Sequence, residues 1–284
     1  TNDTGLPLTI RNFVAHYHLD LRSLYTRACF TRLCVLAGVR EDFQESLEPI
    51  LTKAFPKLAM LDSRQWIRFL LRVLPDLAGL DVRALTEREI RMLRMFHITL
   101  WQDAAEDLSS DTVRQNLHAL ASCPVLLAEL VELLQLRLDQ IDFVDEPVPL
   151  GFDCPLDLHC AYTRDQLFVA LDEWHPDNLR EGVKWLPDKG LDVLLVTLNK
   201  SEKDYSPSTM YNDYSIHETL FHWQSQSTTS ETSGTGLRYR NHQTRGSKVL
   251  LFVREFKNEM GVTAPYTFLG KVDYVQHQGT RPMN

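Results

Sequence analysis

The residues best suited to chemistry lie in one stretch, 199–230, where aromatic side chains alternate with amides, hydroxyls and carboxylates. Tyr205, Tyr211 and Tyr214 supply flat rings, and Asp213 and Glu218 supply carboxylates among them. Aromatic faces stack on planar heterocycles, and carboxylates or amides hydrogen-bond to the edges of such rings. The stretch therefore predicts a site for a flat polar ring, of which a nucleobase is one example.

The predicted base-binding residues combine stacking rings with groups that read a ring edge. They are Tyr205, Tyr211, Asp213, Tyr214, Glu218, Trp223, Gln224 and Ser225. In this prediction the three tyrosines stack on the base, and Asp213 or Glu218 accepts a hydrogen bond from the exocyclic amine of cytosine. An alternative is that Phe221 and Trp223 are alternating core residues of a strand, while the tyrosines cover the end of a barrel.

Charge is distributed unevenly along the chain. The formal net charge of −8 excludes a uniformly basic surface, so any phosphate contact must come from a local patch. Residues 236–284 hold eight Lys/Arg against three acids, a net charge of +5. The predicted contacts to a DNA backbone are Lys200, Lys203, Arg238, Arg240, Arg245 and Lys248.

Metal chemistry has weak support in the sequence. His217 and His222 are five residues apart, whereas zinc proteases need two histidines four apart on one helix face. Cys154, His159 and Cys160 lie close together but have no second Cys/His pair downstream. We therefore expect no metal, no cofactor and no catalytic residue in this chain.

A restriction-type nuclease core is the enzymatic alternative. It needs an acid on one strand and an acid-x-Lys pair on the next, which together hold a divalent ion. Glu255 and Lys257 match the second half, and Asp188 or Asp192 could supply the first. The spacing is loose and such pairs occur by chance, so we rank this alternative below base binding. The chain has no glycine-rich phosphate loop, which argues against nucleotide hydrolysis.

Two domains that together form an α+β chain must position these residues. Apolar residues recur at helical spacing up to residue 143 and predict an all-α domain over 1–145, before a proline-rich acidic connection. The predicted helices span residues 21–37, 41–54, 63–74, 86–102, 110–121 and 124–142. Residues 86–89 and 163–166 each form a capping box, the second opening a helix to residue 174.

The rest of the chain, 146–284, predicts a mainly β domain with that capping helix. The predicted strands span residues 182–186, 191–198, 219–225, 248–254, 266–269 and 272–276. Residues 187–190 form a hairpin turn, Gly270 marks a bulge, and residues 227–236 form a polar loop. Five or six antiparallel strands predict a small barrel or a strongly curved sheet.

The cysteine content and hydropathy indicate the cellular setting. Five cysteines without a CxxC pair predict reduced thiols inside a cell, and no apolar run approaches the ~18 residues of a membrane span. We therefore expect a cytoplasmic protein that does not contact a membrane. The chain starts at a threonine, which suggests a fragment of a longer protein.

Several long motifs in residues 162–283 resemble a known family. They are DVLLVTLNKSEKDYSP, YNDYSIHETLFHWQSQST, VLLFVRE, APYTFLGKVDYV and GTRPM. These motifs resemble a domain of unassigned function at the C-terminus of bacterial superfamily-two helicases, which often carry a phospholipase-D-like nuclease module. The preceding helical half is similar to the region that links the helicase core to that domain.

The resemblance implies a function. Proteins of this architecture include modification-dependent (type IV) restriction enzymes, which cut foreign DNA bearing methylated or hydroxymethylated cytosine. It implies that residues 146–284 form a PUA/SRA-like curved sheet that reads modified cytosine in duplex DNA by base flipping, and that residues 1–145 are a connector. The implied partners are double-stranded DNA and the parent helicase and nuclease domains. A second copy of the chain, in a homodimer, is a further possible partner.

The chain has no Walker motif and no HxK nuclease motif, so the resemblance does not give it ATPase or cleavage activity. The alternative from another class is an interaction module that regulates the parent helicase without contacting bases.

Overall fold

The computed structural model describes residues 5–175, 182–200, 213–259 and 261–283. The chain divides into two compact units, Thr1–Asp177 with Met260–Val262, and Asn178–Glu259 with Thr263–Asn284. Helices fill the N-terminal half and a mixed sheet lies in the C-terminal part, which confirms the predicted α+β class.

The first unit is built from helices packed around large buried side chains such as Trp66, Phe55 and Phe96. Its described helices are α1 (Ile10–Tyr17), α2 (Leu21–Leu24), α3 (Phe30–Leu36), α4 (Glu48–Leu58), α5 (Arg64–Val73), α6 (Glu87–Trp101), α7 (Asp111–Ala121), α8 (Pro124–Gln140) and α9 (Arg164–Ala170). Short strands β1 (Glu146–Pro147), β2 (Asp157–Leu158) and β3 (Ala161–Tyr162) lie between α8 and α9.

Both predicted capping boxes are confirmed. The Thr86 N–H donates to the Glu89 carboxylate (2.8 Å), and the Thr86 hydroxyl accepts from the Glu89 N–H (3.3 Å). Thr163 and Gln166 make the same reciprocal pair at the start of α9. Each box satisfies backbone N–H groups that the first helical turn leaves free.

The predicted helix 21–37 is wrong in one respect, because it is interrupted between α2 and α3. The buried Glu129 carboxylate, on α8, accepts hydrogen bonds from the Phe30 N–H (2.7 Å) and the Thr31 N–H (2.8 Å). These donors are free only if a new helix starts at Phe30. A contact from a residue about a hundred positions away thus sets this helix boundary.

Helix α4 also differs from its prediction. It begins at Glu48 rather than near residue 41, and it continues past Pro56 to Leu58. Four side chains of this helix are buried, and their packing offsets the hydrogen bond that proline removes.

Helix α9 packs within the first unit, although it opens the segment that we predicted to belong to the β domain. The Gln166 side chain donates to the Thr99 hydroxyl of α6 (2.9 Å). Val169 packs in a buried cluster with Ile98 and Ala104. These contacts explain why the division between units falls after Asp177, later than the proline-rich segment.

From residue 182 the chain is mainly β. The described elements are β4 (Val183–Leu186), β5 (Leu191–Thr197), β6 (Tyr214–His217), β7 (Leu220–His222), α10 (Gly234–Arg240), β8 (Lys248–Arg254), β9 (Asn258–Glu259), β10 (Val262–Thr263) and β11 (Tyr266–Val272). A 3₁₀ turn at Pro187–Lys189 joins β4 to β5, and Gly190 has a φ of 60° there, which confirms the predicted hairpin.

The sheet of the second unit contains β11, β8, β5 and β4 side by side in that order. β4 and β11 run antiparallel to their neighbours, but β5 and β8 are parallel, from Leu191 opposite Lys248 to Thr197 opposite Arg254. Their nearly continuous buried runs are typical of central parallel strands. The predicted antiparallel barrel is therefore wrong, and the strands of the described residues form no closed barrel.

Two local features of this unit bear on the predictions. The register of β11 against β8 shifts between Phe268 and Gly270, which confirms the bulge. The predicted polar loop 227–236 contains the start of α10, with Ser233 as its N-cap and Tyr239 buried. The loop prediction holds for residues 227–233 and fails at the last three, because the half-buried Leu237 and the buried Tyr239 anchor a short helix that starts at Gly234.

In the described part of the chain, no single helix is long and apolar enough to cross a membrane. The helices α7 and α8 pass on length and composition only when they are taken together, across a bend of 88°.

Candidate functional site: an exposed aromatic hairpin

Strands β6 and β7 form an antiparallel hairpin in which Tyr214 lies opposite His222. Their rings stack at a centroid distance of 4.6 Å with an interplanar angle of 14°. Every residue of β6 is exposed, and Tyr214 remains 45% and Ile216 52% accessible. Large side chains that stay exposed in the folded chain contribute little to its stability by burial. This surface is therefore a candidate for contact with a ligand.

The stem of the hairpin is held by a buried ion pair. The Lys200 ammonium lies 2.7 Å from Asp213 Oδ2, and the two side chains are only 8% and 3% exposed. The Gln224 N–H donates to Asp213 Oδ1 (2.9 Å), which ties the residue before β6 to the chain after β7. Asp213 and Lys200, predicted to contact a base and a phosphate, thus contact each other within the stem.

Phe221 and Trp223 connect the hairpin to the sheet. Both are half-buried and pack against the cluster of Leu194, Val196, Val249, Leu251 and Val253. The Trp223 ring also meets Tyr239 of α10 edge-on at 5.3 Å. These contacts favour the alternative in which Phe221 and Trp223 pack on the core, although Trp223 follows the last residue of β7.

Ser225 lies fully inside the second unit. Its N–H donates to the Met283 carbonyl (2.9 Å), and its hydroxyl accepts from the Met283 N–H (2.9 Å). Ser225 therefore anchors the GTRPM motif, a role that the sequence pattern did not indicate.

The predicted cations occupy different environments. The Arg238 guanidinium forms two hydrogen bonds with the buried Asp192 carboxylate (2.7 and 2.9 Å) and lies over the Trp185 ring at 4.4 Å. Burial raises the pKa of Asp192, and Arg238 opposes that shift. Arg240 and Arg245 are exposed, and Lys248 is half-buried at the start of β8.

The remaining predicted residues are Glu218, Gln224, Tyr205, Tyr211 and Lys203. Glu218 is exposed in the turn between β6 and β7, and Gln224 is half-buried just after β7. Tyr205, Tyr211 and Lys203 lie outside the described residues.

The acids of the alternative nuclease core do not converge. Asp192 lies opposite Val249 near the start of β8, whereas Glu255 follows the last residue of that strand. Six residues of extended chain separate Val249 from Glu255, about 20 Å at the rise of a β-strand. Asp188 precedes β5 and is no closer along the strand direction.

A cluster in the first unit brings together atoms that could hold a metal. Ligand atoms of Asp145, Asp157 and Cys160 lie within 4.8 Å of one another. However, Arg64 pairs with Asp145 (2.5 Å), and Ser63 and Gln65 donate to Asp157. These hydrogen bonds already satisfy the carboxylates, as in a structural polar cluster. Of the predicted Cys154, His159 and Cys160 group, only Cys160 takes part.

Asp62 borders this cluster. Its Oδ1 accepts from the Ala161 N–H (2.8 Å), and its carbonyl accepts from the Cys160 thiol (3.5 Å). Burial raises the pKa of Asp62 to about 7, which the hydrogen bond from Ala161 only partly offsets.

Comparison with known proteins gives one similar family, which matches the C-terminal part of the chain. No curated protein matches the chain. The matching family model spans α9, the aromatic hairpin, α10 and the strands β4, β5, β8 and β11. Residues 156–284 are thus similar to the family described as Domain of unknown function (DUF3427).

Proposed function

We propose that this chain binds duplex DNA and reads a modified cytosine, as the target-recognition part of a modification-dependent (type IV) restriction helicase-nuclease. The observation that carries the proposal is the stack of the exposed Tyr214 ring on the half-buried His222 ring, in a hairpin with a fixed stem. It is supported by the resemblance of residues 162–283 to the C-terminal domain of such helicases.

The hairpin suits a stacking platform because its aromatic face is exposed and its stem is rigid. Base stacking on an aromatic side chain contributes about 1–3 kcal/mol per base. An aromatic ring that is already oriented loses little conformational entropy when the base arrives. The ion pair of Lys200 with Asp213 and the core contacts of Trp223 supply that preorganisation.

Glu218 is the acid that remains at the surface of the hairpin. Its carboxylate can accept a hydrogen bond from the N4 amine of cytosine, as acids do in base readout. A methyl group on the base adds only about 0.8 kcal/mol when buried. Discrimination therefore also draws on the lower cost of extruding a favoured base from the duplex.

Phosphate contacts fall to Arg240 and Arg245, which are both exposed. Tyr239 packs against Trp223, so the helix that carries Arg240 lies against the stem of the hairpin. Guanidinium groups there can bind the phosphates that flank a base on the hairpin.

The test is a titration of matched duplexes that differ only in one cytosine, unmodified, 5-methylated or 5-hydroxymethylated, at a fixed salt concentration. We expect tighter binding of a modified duplex and a loss of that preference in Glu218→Gln. Glu41→Gln, an exposed acid of the first unit, is the matched control. Equal affinity for all three duplexes, unchanged by Glu218→Gln, contradicts base reading.

One observation favours a second candidate, the interaction module. Ile216 presents an apolar side chain beside Tyr214 on the exposed strand, as protein-binding surfaces do. Under this candidate Ile216→Asp abolishes self-association or binding to the parent helicase in sedimentation velocity, and leaves DNA affinity unchanged.

A further inference from the structure

Three polar side chains at the C-terminal end of the chain form a continuous hydrogen-bonded chain. The Tyr274 hydroxyl lies 2.5 Å from His277 Nδ1, and His277 Nε2 lies 3.0 Å from Glu231 Oε2. A carboxylate, an imidazole and a hydroxyl in this order are the arrangement that activates a nucleophile in many enzymes. None of the three residues belongs to the hairpin described above.

The partners fix which imidazole nitrogen carries the proton. An ionised glutamate only accepts hydrogen bonds, so His277 Nε2 must carry the hydrogen that faces Glu231. In neutral histidine, Nδ1 is then the acceptor and receives the proton of the Tyr274 hydroxyl. The imidazole therefore has a free base site directed at the phenol, as a general base requires.

The backbone around these residues holds them in place. The Glu231 N–H donates to the Thr280 carbonyl (3.2 Å), which joins the segments on which Glu231 and His277 lie. The Tyr274 N–H donates to Nε2 of the buried His242 (3.1 Å). The relay is thus attached to the second unit at both ends.

The relay lies close enough to the surface to meet a substrate. The side chains of His277 and Glu231 are 14% and 34% exposed, and Tyr274 is half-buried between exposed Asp273 and Val275. The exposed Arg240 directs its guanidinium to the Glu231 carbonyl (3.5 Å). This cation lies next to Glu231, at the opposite end of the relay from the Tyr274 hydroxyl, and it favours an anionic ester as the substrate class.

We propose that Tyr274 is a nucleophile toward phosphodiesters, His277 its general base and Glu231 the residue that positions the imidazole. Tyr274 Oη forms a bond to phosphorus as the bond from phosphorus to the leaving oxygen breaks. The phenol proton passes to His277 Nδ1 and then to the leaving oxygen. The products are a tyrosyl phosphodiester and an alcohol, with His277 neutral again. This assigns catalysis to a chain in which the sequence predicted none.

The first test uses bis(p-nitrophenyl) phosphate, an activated phosphodiester that requires no DNA binding. We expect release of one p-nitrophenolate per chain and a covalent adduct on the peptide that contains Tyr274, detected by mass spectrometry. Tyr274→Phe is expected to abolish the adduct, whereas Tyr17→Phe, which alters an exposed tyrosine of the first unit, is expected to retain it.

Glu231→Gln tests the relay itself. The glutamine NH2 group can donate to Nε2, which places the ring proton on Nδ1 and removes the base site that faces Tyr274. We expect labelling to slow by about 100-fold or more, and Glu231→Asp to recover part of the rate. If Glu231 had only a structural role, both variants would change thermal unfolding, and their labelling rates would not differ between the amide and the acid. Glu146→Gln is the control at an exposed site.

The assignment of DNA as the natural phosphodiester rests on the proposed function, and the two can fail separately. Ester labelling without DNA binding supports the relay and overturns the proposed function. DNA binding without any adduct at Tyr274 in the folded protein overturns the relay and leaves the proposed function standing. The relay is also overturned if Tyr274→Phe, shown to be folded by thermal unfolding, releases p-nitrophenolate as fast as the unaltered chain.

Discussion

Lys200 and Asp213 form an ion pair of 2.7 Å that is nearly closed to solvent and holds the stem of the aromatic hairpin. Removing one partner leaves a buried charge, which costs about 3–5 kcal/mol. We therefore expect Lys200→Met to lower the free energy of unfolding by about that amount in urea titration.

The double variant Lys200→Met/Asp213→Leu is the control, because it removes both charges and restores apolar contact. It should be clearly more stable than Lys200→Met alone. Equal losses in the single and double variants contradict a role for the pair in stability.

The hairpin itself should matter for binding more than for folding. Tyr214→Ala removes an exposed stacking ring, so we expect DNA affinity to fall by about 1–3 kcal/mol, roughly 5- to 150-fold. Stability should change little, because nearly half of the side chain is exposed. Fluorescence anisotropy with a labelled duplex measures the affinity, with Tyr17→Ala as the matched control. Unchanged affinity in Tyr214→Ala contradicts a stacking role for the hairpin.

Phosphate contacts have a signature in salt dependence. If Arg240 and Arg245 each contact one phosphate, each substitution by alanine should reduce the slope of log K against log salt by about 1. Arg83→Ala, an exposed arginine of the first unit, should leave the slope unchanged. A slope that stays constant in all three variants places the phosphate contacts elsewhere.

Asp62 should make stability depend on pH. Its pKa is about 7 in the folded chain against an ordinary value of 3.8. Because the folded-state pKa is the higher one, its contribution is fully present below about pH 4 and is lost as the pH rises through about 7. The loss is at most about 4 kcal/mol.

Asp62→Asn removes this titration and keeps an oxygen for the Ala161 N–H. We expect the variant to be more stable than the unaltered chain at pH 8 and nearly equal at pH 4, in urea titrations at both values. A constant difference between the two proteins at both pH values would falsify the assignment.

Helix α10 contains two glycines that should respond oppositely to alanine. A Cβ on Gly236 would lie 2.1 Å from the Ser230 carbonyl oxygen, whereas one on Gly234 meets nothing within 4 Å. Gly236→Ala should cost about 1–3 kcal/mol through overpacking. Gly234→Ala should be neutral or stabilising by up to about 1 kcal/mol. Thermal unfolding compares the two, and a similar loss in both rules out the contact with Ser230 as the cause.

The sequence predicted those elements whose signals are local. The capping boxes at Thr86 and Thr163, the turn before Gly190 and the bulge at Gly270 each depend on residues a few positions apart. The break between α2 and α3 was missed because it depends on the Glu129 carboxylate from α8. The parallel pairing of β5 with β8 was missed because the prediction gave no weight to their nearly continuous apolar runs, a pattern typical of central parallel strands.

In the candidate site, too, the sequence predicted the local features and missed the contacts between distant residues. The aromatic and polar composition of residues 199–230 drew attention to the hairpin, and Tyr214 and Glu218 are indeed exposed there. Composition alone did not show that two of the predicted contact residues are paired inside the protein. Asp213 pairs with Lys200, and Arg238 pairs with Asp192. The Glu231–His277–Tyr274 relay was missed because its members are up to 46 residues apart and form no motif.

The parallel alignment of β5 and β8 has a consequence for how the chain acquires its structure. Leu191 and Lys248 are partners although 57 positions separate them. The entropy of closing so long a loop must be overcome before the two most apolar strands gain any contact. The centre of the sheet should therefore form late in refolding, after the local hairpins, and set the rate at which the second unit becomes native.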